Sequence, residues 1–185
     1  KVLENLIKVS KKILIGGAMA YTFLKVKGIN VGSSIIDEKS LDFAKSFLDK
    51  YSEKIILPID HIVKNSKIMN VEEIMEGYIG MDIGKKTIEL FKQELKDAKM
   101  IFFNGPLGKF EDKEFSSGTF EIAKFLSELT KRGVITVIGG GDTVSAIHSA
   151  NLKDEDFSHV STGGGATLEL ISGEEMPGIE VLSNV

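Results

Sequence analysis

The chain has no cysteine, no tryptophan and only three prolines in its 185 residues. The absence of cysteine excludes disulfide bridges and thiolate metal sites, and it agrees with a reducing compartment. No apolar run reaches the roughly 18 to 20 residues that a membrane-spanning helix needs. The N-terminal segment KVLENLIKVSKK has the pattern of an amphipathic helix, not of a signal peptide. We therefore expect a cytoplasmic protein that does not enter a membrane.

Positive charge is slightly outnumbered by negative charge. Lysine and arginine number 23 against 27 aspartates and glutamates, which gives a net charge of -4, and no basic run is longer than two residues. Nucleic acids and anionic membranes are therefore not expected as partners, because both are recognised chiefly through dense positive charge. The length and the 42% hydrophobic content suit one domain that spans residues 1–185.

Short apolar runs alternate with stretches of helical periodicity. The runs predict buried parallel strands at residues 12–16, 54–58, 99–103, 134–139 and 157–161. Helical spacing of apolar residues predicts helices over 38–52 and 115–132. The alternation predicts an α/β fold, a three-layer Rossmann-like domain with a mainly parallel sheet. Residues 60–83 break this rhythm and could form extra strands or an irregular excursion, and the tail from Ser172 is expected to lie extended on the surface.

Glycine is concentrated in three clusters, at Gly16–Gly17, Gly139–Gly141 and Gly163–Gly165. Each cluster follows a predicted strand and precedes a predicted helix, which places all three at the carboxyl edge of a parallel sheet, where open α/β domains bind ligands. Glycine lets backbone N–H groups approach an anion, and a helix N-terminus adds the positive end of its dipole. The clusters predict a phosphate site, although the cluster at 163–165 alone could instead serve a tight turn. Ala18 and Ala20, after the first cluster, could leave space for a flat ring.

The segment GGGDT contains a carboxylate, Asp142, and a hydroxyl, Thr143, directly after its glycines. A carboxylate beside a phosphate would repel it unless a cation intervened, so Asp142 is predicted to bind Mg²⁺ that bridges phosphate oxygens. From this segment alone, a helix N-cap remains an equal alternative for Asp142, and the two roles could coexist.

A fourth turn follows the predicted strand that ends near Asn104. Pro106 in this turn could stack on a base, and Glu111 could accept hydrogen bonds from ribose hydroxyls, although a solvated surface charge remains the alternative for Glu111. The glycine spacing matches neither the dinucleotide pattern GxGxxG nor the Walker pattern GxxxxGK[ST]. A nicotinamide dinucleotide site and a P-loop are therefore not supported.

Six segments, in one order, resemble the C-terminal domain of phosphoglycerate kinase. They are IGGAMAYTFL, GMDIGK, FNGPLGKFE, GGGDT, HVSTGGGATLE and MPGI, against the family's IGGGMAYTFL, GLDIGP, WNGPMGVFE, GGGDT, HxSTGGGAxLE and LPGV. The resemblance covers essentially the whole chain. It implies a phosphotransferase domain that binds Mg-ADP or Mg-ATP for reversible phosphoryl transfer between 1,3-bisphosphoglycerate and ADP in glycolysis. A nucleotide-binding module without catalysis is the alternative.

The resemblance also implies which residues form the site. The implied nucleotide-binding residues are Gly16, Gly17, Gly80, Met81, Asn104, Pro106, Phe110, Glu111, Gly140, Gly141, Asp142 and Thr143. Glu111 would bind the ribose, Asp142 the magnesium and Thr143 the phosphates, while Gly141, Gly163 and Gly164 would act on the transferring phosphoryl group. The chain departs from the family pattern at Ala18, Met81, Lys85 and Lys109, of which Met81 and Lys109 would border the base.

In the family, this domain opens with a strand and a GGAKVSDK-like loop, and a separate N-terminal domain holds 3-phosphoglycerate. Neither has a counterpart in this sequence, so we expect a fragment with an empty strand position beside its first predicted strand. Such a fragment is expected to be inactive alone, and the full-length protein to be a monomer.

Other polar residues are assigned structural roles. The three histidines, His61, His148 and His159, lack the i, i+4 spacing and the carboxylate partners of a metal site, so they are expected to pack or to lie on the surface. Asp60 and Asp82 are expected to be structural, with Asp82 capping the helix that begins near Gly84.

Overall fold

The computed structural model describes residues 2–65 and 68–163. Its α-helices are α1 (Val2–Val9), α2 (Gly17–Val26), α3 (Leu41–Tyr51), α4 (Lys85–Leu95), α5 (Ser117–Lys131) and α6 (Gly141–Ser149). Its strands are β1 (Ile13–Leu14), β2 (Ile55–Ile56), β3 (His61–Lys64), β4 (Ile68–Val71), β5 (Ile79–Ile83), β6 (Met100–Asn104), β7 (Ile135–Gly139) and β8 (His159–Ser161).

The strands predicted to be parallel are parallel, and they form two groups. β1 pairs with β2, and β6, β7 and β8 pair in that order. Each observed strand lies at or within one residue of its predicted range, and helices separate the strands, so the α/β prediction is confirmed. Within the described ranges, no ladder joins β1 to β6.

The segment between β2 and α4 forms extra strands, one of the two possibilities that its sequence left open. β3 lies between β4 and β5 and pairs with both in antiparallel fashion. The ladder between β3 and β5 is irregular between Ile62 and Val63. In this small sheet, Gly80 of β5 lies directly against α2. A Cβ at Gly80 would overlap the ring of Tyr21.

Two hydrophobic clusters form the core. One is built around the sheet of β6, β7 and β8 and includes Phe91, Leu126 and Ile138. The other joins the first three helices to β1 and β2. Leu14 of β1 and Ile56 of β2 also pack against the first cluster, so the two parallel groups share a core although no ladder connects them. Burying each large apolar side chain stabilises the fold by about 1.5 to 3 kcal/mol.

The predicted helices are confirmed, with 3-10 turns at their ends. The helix predicted over 38–52 consists of α3 between turns at Glu38–Ser40 and Ser52–Lys54. The helix predicted over 115–132 is α5, which a turn at Lys113–Phe115 precedes. The amphipathic N-terminal segment forms α1. Across the described residues, no helix has the length and apolarity to span a membrane.

The two buried aspartates both cap helices, but the predicted role of Asp82 is wrong. The carboxylate of Asp60 accepts hydrogen bonds from the backbone N–H groups of Lys86 (3.0 Å) and Thr87 (2.7 Å), in the first turn of α4. Asp82 instead accepts one from the N–H of Gly118 (2.7 Å), in the first turn of α5. The physical reason is the antiparallel pairing of β3 with β5, which brings Asp60 beside the start of α4.

Candidate functional site

The three strands of the larger parallel sheet end in one row. Asn104 of β6 is in register with Gly139 of β7, and Gly139 is in register with Ser161 of β8. The N–H of Gly140 donates a hydrogen bond to the carbonyl oxygen of Ser161 (2.9 Å). The chain therefore leaves these strands at one shared edge. Gly164, Gly165, the helix predicted after them and the tail from Ser172 lie outside the described residues.

The GGGDT segment forms the start of α6. Gly140 is the N-cap residue with φ 90°, a conformation that favours glycine, and Gly141 and Asp142 are exposed in the first helical turn. Because the N-cap is a glycine, the N-cap alternative for Asp142 is wrong. The N–H groups of a first turn have no partner within the helix. The start of α6 thus presents backbone donors and one exposed carboxylate to solvent.

Thr143 joins this helix start to the turn after β6. Its side chain is fully buried, and its Oγ1 accepts a hydrogen bond from the N–H of Gly105 (2.7 Å). Asn104 Oδ1 lies 3.0 Å from the place that a Cβ on Gly140 would take. Two predicted site segments are therefore in direct contact. The contact that the structure shows for Thr143 is with the protein, so its contact with phosphates stays a prediction.

The first glycine cluster touches the same turn from the other side. Gly17 begins α2 with φ 61°, and a Cβ there would lie 2.8 Å from the carbonyl oxygen of Pro106. A Cβ on Gly16 would overlap the side chain of Leu107. The glycines that follow β1 are therefore packed closely on the turn after β6, and a side chain at Gly17 would meet the backbone of that turn.

A cavity of about 270 Å³ lies next to this cluster and is lined mostly by apolar side chains. Ala18, Met19 and Ile35 lie on it and are exposed. Of the two alanines predicted to leave space for a flat ring, Ala18 lines this cavity. Ala20 does not, because it is buried in the core.

β5 contributes the remaining residues predicted for the base. The carbonyl oxygen of Met81 accepts a hydrogen bond from the N–H of Lys109 (2.9 Å), which ties β5 to the segment between β6 and α5. In that segment Phe110 is buried and Glu111 is exposed. The exposure of Glu111 leaves its carboxylate accessible to a ligand, while Phe110 belongs to the protein interior.

Three ionisable groups are buried in and around the small antiparallel sheet of β3, β4 and β5. Burial raises the pKa of Asp82 to about 7, against the opposing effect of hydrogen bonds from the backbone of Gly118 and Ile83. Burial, and then the charge of Asp82, raise the pKa of Tyr21. Burial lowers the pKa of His61 to about 4. On the exposed rim, the hydrogen bond between Lys109 and Asp112 (2.8 Å) raises the pKa of Lys109.

Asp142 is the residue of this edge that could take part in binding a metal ion. Within residues 2–65 and 68–163, no three His, Asp or Glu side chains are grouped so that they could hold a metal ion by themselves. Mg²⁺ is commonly bound through one or two carboxylates together with substrate phosphates. A single exposed carboxylate at a helix N-terminus, Asp142, fits that chemistry.

Of the three histidines, His159 lies in β8, a strand of the larger parallel sheet, and the other two lie elsewhere. His61 packs against Tyr21, with ring centroids 5.5 Å apart. His148 Nε2 lies 2.7 Å from Asp154 Oδ1, and among the described residues this pair is not part of a group that could hold a metal ion. Both members of this pair are exposed, in keeping with the surface role expected for His148.

Two buried polar residues near the site were missed as site residues by sequence reasoning. Asp82 lies in the apolar strand β5, and Thr119 accepts a hydrogen bond at its Oγ1 from the N–H of Leu107 (2.9 Å). A charged residue inside an otherwise apolar strand was the available signal for Asp82. Nothing in the local sequence distinguishes Thr119 from other threonines in helices.

Known proteins resemble this chain over nearly its whole length. The family model described as phosphoglycerate kinase matches residues 1–174. The phosphoglycerate kinase of Finegoldia magna is 48% identical over 191 residues, which cover 98% of this chain and 47% of the relative. The phosphoglycerate kinase of Thermosipho africanus is 46% identical over 194 residues, which cover 99% of this chain and 48% of that relative.

Solved structures agree with the sequence matches. The phosphoglycerate kinase of Coxiella burnetii superposes with a TM-score of 0.87 at 34% identity, over 98% of this chain and 48% of the other. The phosphoglycerate kinase of Pyrococcus horikoshii superposes with a TM-score of 0.85 at 29% identity, again over 98% of this chain and 48% of the other. This chain spans about half the length of the curated relatives that it matches. The matched family model, together with these relatives, shows that the chain belongs to the phosphoglycerate kinase family.

Proposed function

We propose that this chain is the nucleotide-binding part of a phosphoglycerate kinase, which transfers a phosphoryl group reversibly between 1,3-bisphosphoglycerate and ADP in glycolysis. One observation carries the proposal. The turn after β6 contacts Gly17 at its Pro106 end and Thr143 at its Gly105 end. It thereby joins a glycine-lined, partly apolar region to a helix N-terminus, and an ADP molecule has the matching polarity, with a flat base at one end and phosphates at the other.

The base would lie at the end formed by Gly16, Gly17, Gly80, Met81 and Pro106. Pro106 would offer the base an apolar face. The glycines would contribute backbone, because the space of their missing side chains is taken up by Leu107, Pro106 and Tyr21. The exposed carboxylate of Glu111 would accept hydrogen bonds from the ribose hydroxyls. Asn104 and Phe110 complete the predicted set, Asn104 from the strand end and Phe110 from beneath.

The phosphates would lie at the start of α6. The backbone N–H of Gly141 would donate a hydrogen bond to them, with the helix dipole adding to the attraction. Gly140 would contribute through its backbone conformation, because its own N–H donates to the carbonyl oxygen of Ser161. Asp142 would hold Mg²⁺, which neutralises phosphate charge when bound. Thr143 would act there too, through its hydroxyl or through the turn that it holds in place.

Phosphoryl transfer requires mainly positioning and neutralisation of charge, and direct in-line attack needs no protein nucleophile. The amides of Gly141, Gly163 and Gly164 are the proposed donors to the transferring group. Gly164 lies outside the described residues, so its part in this set rests on the family resemblance.

The rest of the longer protein would supply what catalysis still needs. We propose that it contributes a domain that binds 3-phosphoglycerate, and a strand between β1 and β6. The second point is supported by Leu14 and Ile56, which pack on the core of the β6 sheet although the described residues include no ladder from β1 to β6. We propose that this chain alone does not turn over. A monomeric full-length protein and a cytoplasmic location stay predictions.

Calorimetry with Mg-ADP tests the nucleotide site. We expect the folded chain to bind Mg-ADP, and Asp142→Ala to weaken binding by about tenfold or more, equivalent to about 1.4 kcal/mol. Asp97→Ala is the matched control, because Asp97 is an exposed carboxylate in the turn before β6, at the opposite end of the sheet. No binding by a chain shown to be folded would refute the proposed site, as would equal losses in the two variants.

A second assay separates the kinase from a nucleotide-binding module without catalysis. Both functions require Mg-ADP binding. Only the kinase is expected to form ATP from 1,3-bisphosphoglycerate and ADP when the N-terminal half of a phosphoglycerate kinase is joined to this chain. If the joined protein folds and binds both substrates but forms no ATP, the module is the better description.

A further inference from the structure

The segment that joins β6 to α5, residues 105–116, carries three of the residues proposed to contact the nucleotide, Pro106, Phe110 and Glu111. We call it the 105–116 segment. Its hydrogen bond from Lys109 to Met81 fixes it near its middle. What fixes it near its two ends is therefore important for the shape of the proposed base and ribose site.

The carboxylate of Asp82 lies beneath the 105–116 segment and is fully buried. Its Oδ2 accepts a hydrogen bond from the N–H of Gly118 (2.7 Å), and its Oδ1 accepts one from the N–H of Ile83 (2.8 Å). A Cβ on Gly108 or on Gly118 would overlap the Asp82 carboxylate. One side chain on β5 thus packs against the segment at Gly108 and against the helix start that follows it at Gly118.

Burying an aspartate at this position lowers the stability of the fold. A buried carboxylate loses its hydration, and two backbone hydrogen bonds restore only part of it. An apolar side chain would fill the same space more cheaply, but it would not accept the N–H of Gly118. The carboxyl group therefore fixes the distance between β5 and the start of α5 through a directional hydrogen bond, which is charge-assisted where the carboxyl is ionised.

Tyr21 connects Asp82 with Gly80, which belongs to the proposed base site. Its hydroxyl end packs on Gly80, which leaves no space there for a Cβ, and the charge of Asp82 acts on Tyr21. Gly80, Met81 and Asp82 are consecutive in β5. The same strand therefore contacts α2 at Gly80 and the 105–116 segment at Met81 and Asp82.

We propose that Asp82 is a positioning residue for the adenosine end of the nucleotide, because it sets the place of the 105–116 segment relative to β5. This inference rests on the proposed function, since it concerns the same site. Asp82 does not touch the nucleotide in this proposal. It acts through Gly108 and Gly118, and so it affects contacts with base and ribose but not those at the start of α6.

Asp60 provides a matched control. It is also a buried aspartate that accepts two backbone hydrogen bonds at a helix start, here from Lys86 and Thr87. None of its hydrogen-bond partners is a proposed nucleotide residue. Asp60→Asn and Asp82→Asn each leave one carbonyl oxygen and set an amide donor where an acceptor was. Asp60 also accepts hydrogen bonds from the side chains of Thr87 and Asn70, so Asp60→Asn disturbs its helix cap at least as much as Asp82→Asn does.

The experiment compares Mg-ADP with Mg-pyrophosphate, which lacks the adenosine. Affinities are measured by calorimetry at pH 8 for the 185-residue chain and the two variants, with pyrophosphate measured by competition against ADP. We expect Asp82→Asn to weaken Mg-ADP by about tenfold and to change Mg-pyrophosphate by less than about twofold. Asp60→Asn is expected to change neither by more than about twofold.

The outcomes distinguish two failures. If the unmodified chain is folded but binds no Mg-ADP, the proposed function fails and this inference fails with it. If the unmodified chain binds but Asp82→Asn behaves like Asp60→Asn, or weakens both ligands equally, only the positioning role is overturned. Should Asp82→Asn not fold, Asp82→Ser replaces it, because a hydroxyl can accept one of the two N–H groups without opposing the other with a donor. The same selective loss of Mg-ADP affinity is expected of it.

Discussion

Removing the charge of Asp82 should change how stability depends on pH. The pKa of this carboxyl rises from 3.8 to about 7 in the folded protein because the side chain is buried. Between about pH 4 and pH 7 the folded state therefore holds a proton that the unfolded chain has released. Raising the pH through this window removes stability, so the contribution of Asp82 is fully present below about pH 4 and is lost by about pH 7.

The size of the effect follows from the change in pKa. It amounts to about three pH units, each worth about 1.4 kcal/mol, so Asp82 should account for a loss of about 4 kcal/mol across the window. His61 acts in the opposite direction, because burial lowers its pKa from 6.5 to about 4. Its contribution is lost as the pH falls from about 6.5 to 4. The two effects oppose each other over much of this pH range. The free energy of unfolding of the unmodified chain would therefore change little with pH.

The quantity to measure is therefore the difference in stability between the unmodified chain and Asp82→Asn. Urea unfolding of the unmodified chain and of Asp82→Asn at several pH values between 4.5 and 8 gives the free energy of unfolding of each, and the contribution of His61 cancels between them. We expect the stability of the unmodified chain relative to Asp82→Asn to fall by about 2 to 4 kcal/mol as the pH rises. A difference that stays constant with pH, or that grows, would refute the assignment of a raised pKa to this buried carboxyl.

Two further substitutions test the packing around the site. Gly17→Ala should destabilise the fold by more than Gly28→Ala in urea unfolding, because both positions have positive φ, worth about 1 to 2 kcal/mol for alanine, but only at Gly17 would the Cβ meet a backbone oxygen. Equal losses would show that the contact with Pro106 is not tight. His61→Phe should leave stability at pH 7 unchanged or slightly higher, because the Nδ1 of His61 has no hydrogen-bond partner among the described residues. Its advantage should grow to about 3 kcal/mol as the pH falls towards 4, and unfolding curves with no such pH dependence would contradict the lowered pKa of His61.

Much of the architecture could be predicted from local sequence. The apolar runs around Ile13 and Ile138 and the helical spacing of Ile122, Leu126 and Leu129 depend on periodicity within one segment, and all of these elements are present. Glycines that follow predicted strands could be assigned to one edge of the sheet, because parallel strands all end there.

Contacts between segments distant in sequence could not be predicted in this way. The hydroxyl of Thr143 accepts a hydrogen bond from the N–H of Gly105, 38 residues away in sequence, and no local pattern indicates that contact. Asp82 was assigned to the nearest helix start, whereas it caps a helix 36 residues further along the chain. A side chain's partner depends on which strands pair, and short-range patterns do not carry that information.

The sequence by itself determined the family, the α/β class, and the presence of glycine-rich turns at strand ends, because these depend on residue order and local periodicity. Only the tertiary structure decided that the turn after β6 lies between Gly17 and Thr143, and that Asp82 packs beneath the 105–116 segment. Those arrangements arise when separate segments are brought into one core, where the space available to each side chain is set by residues far away in the chain.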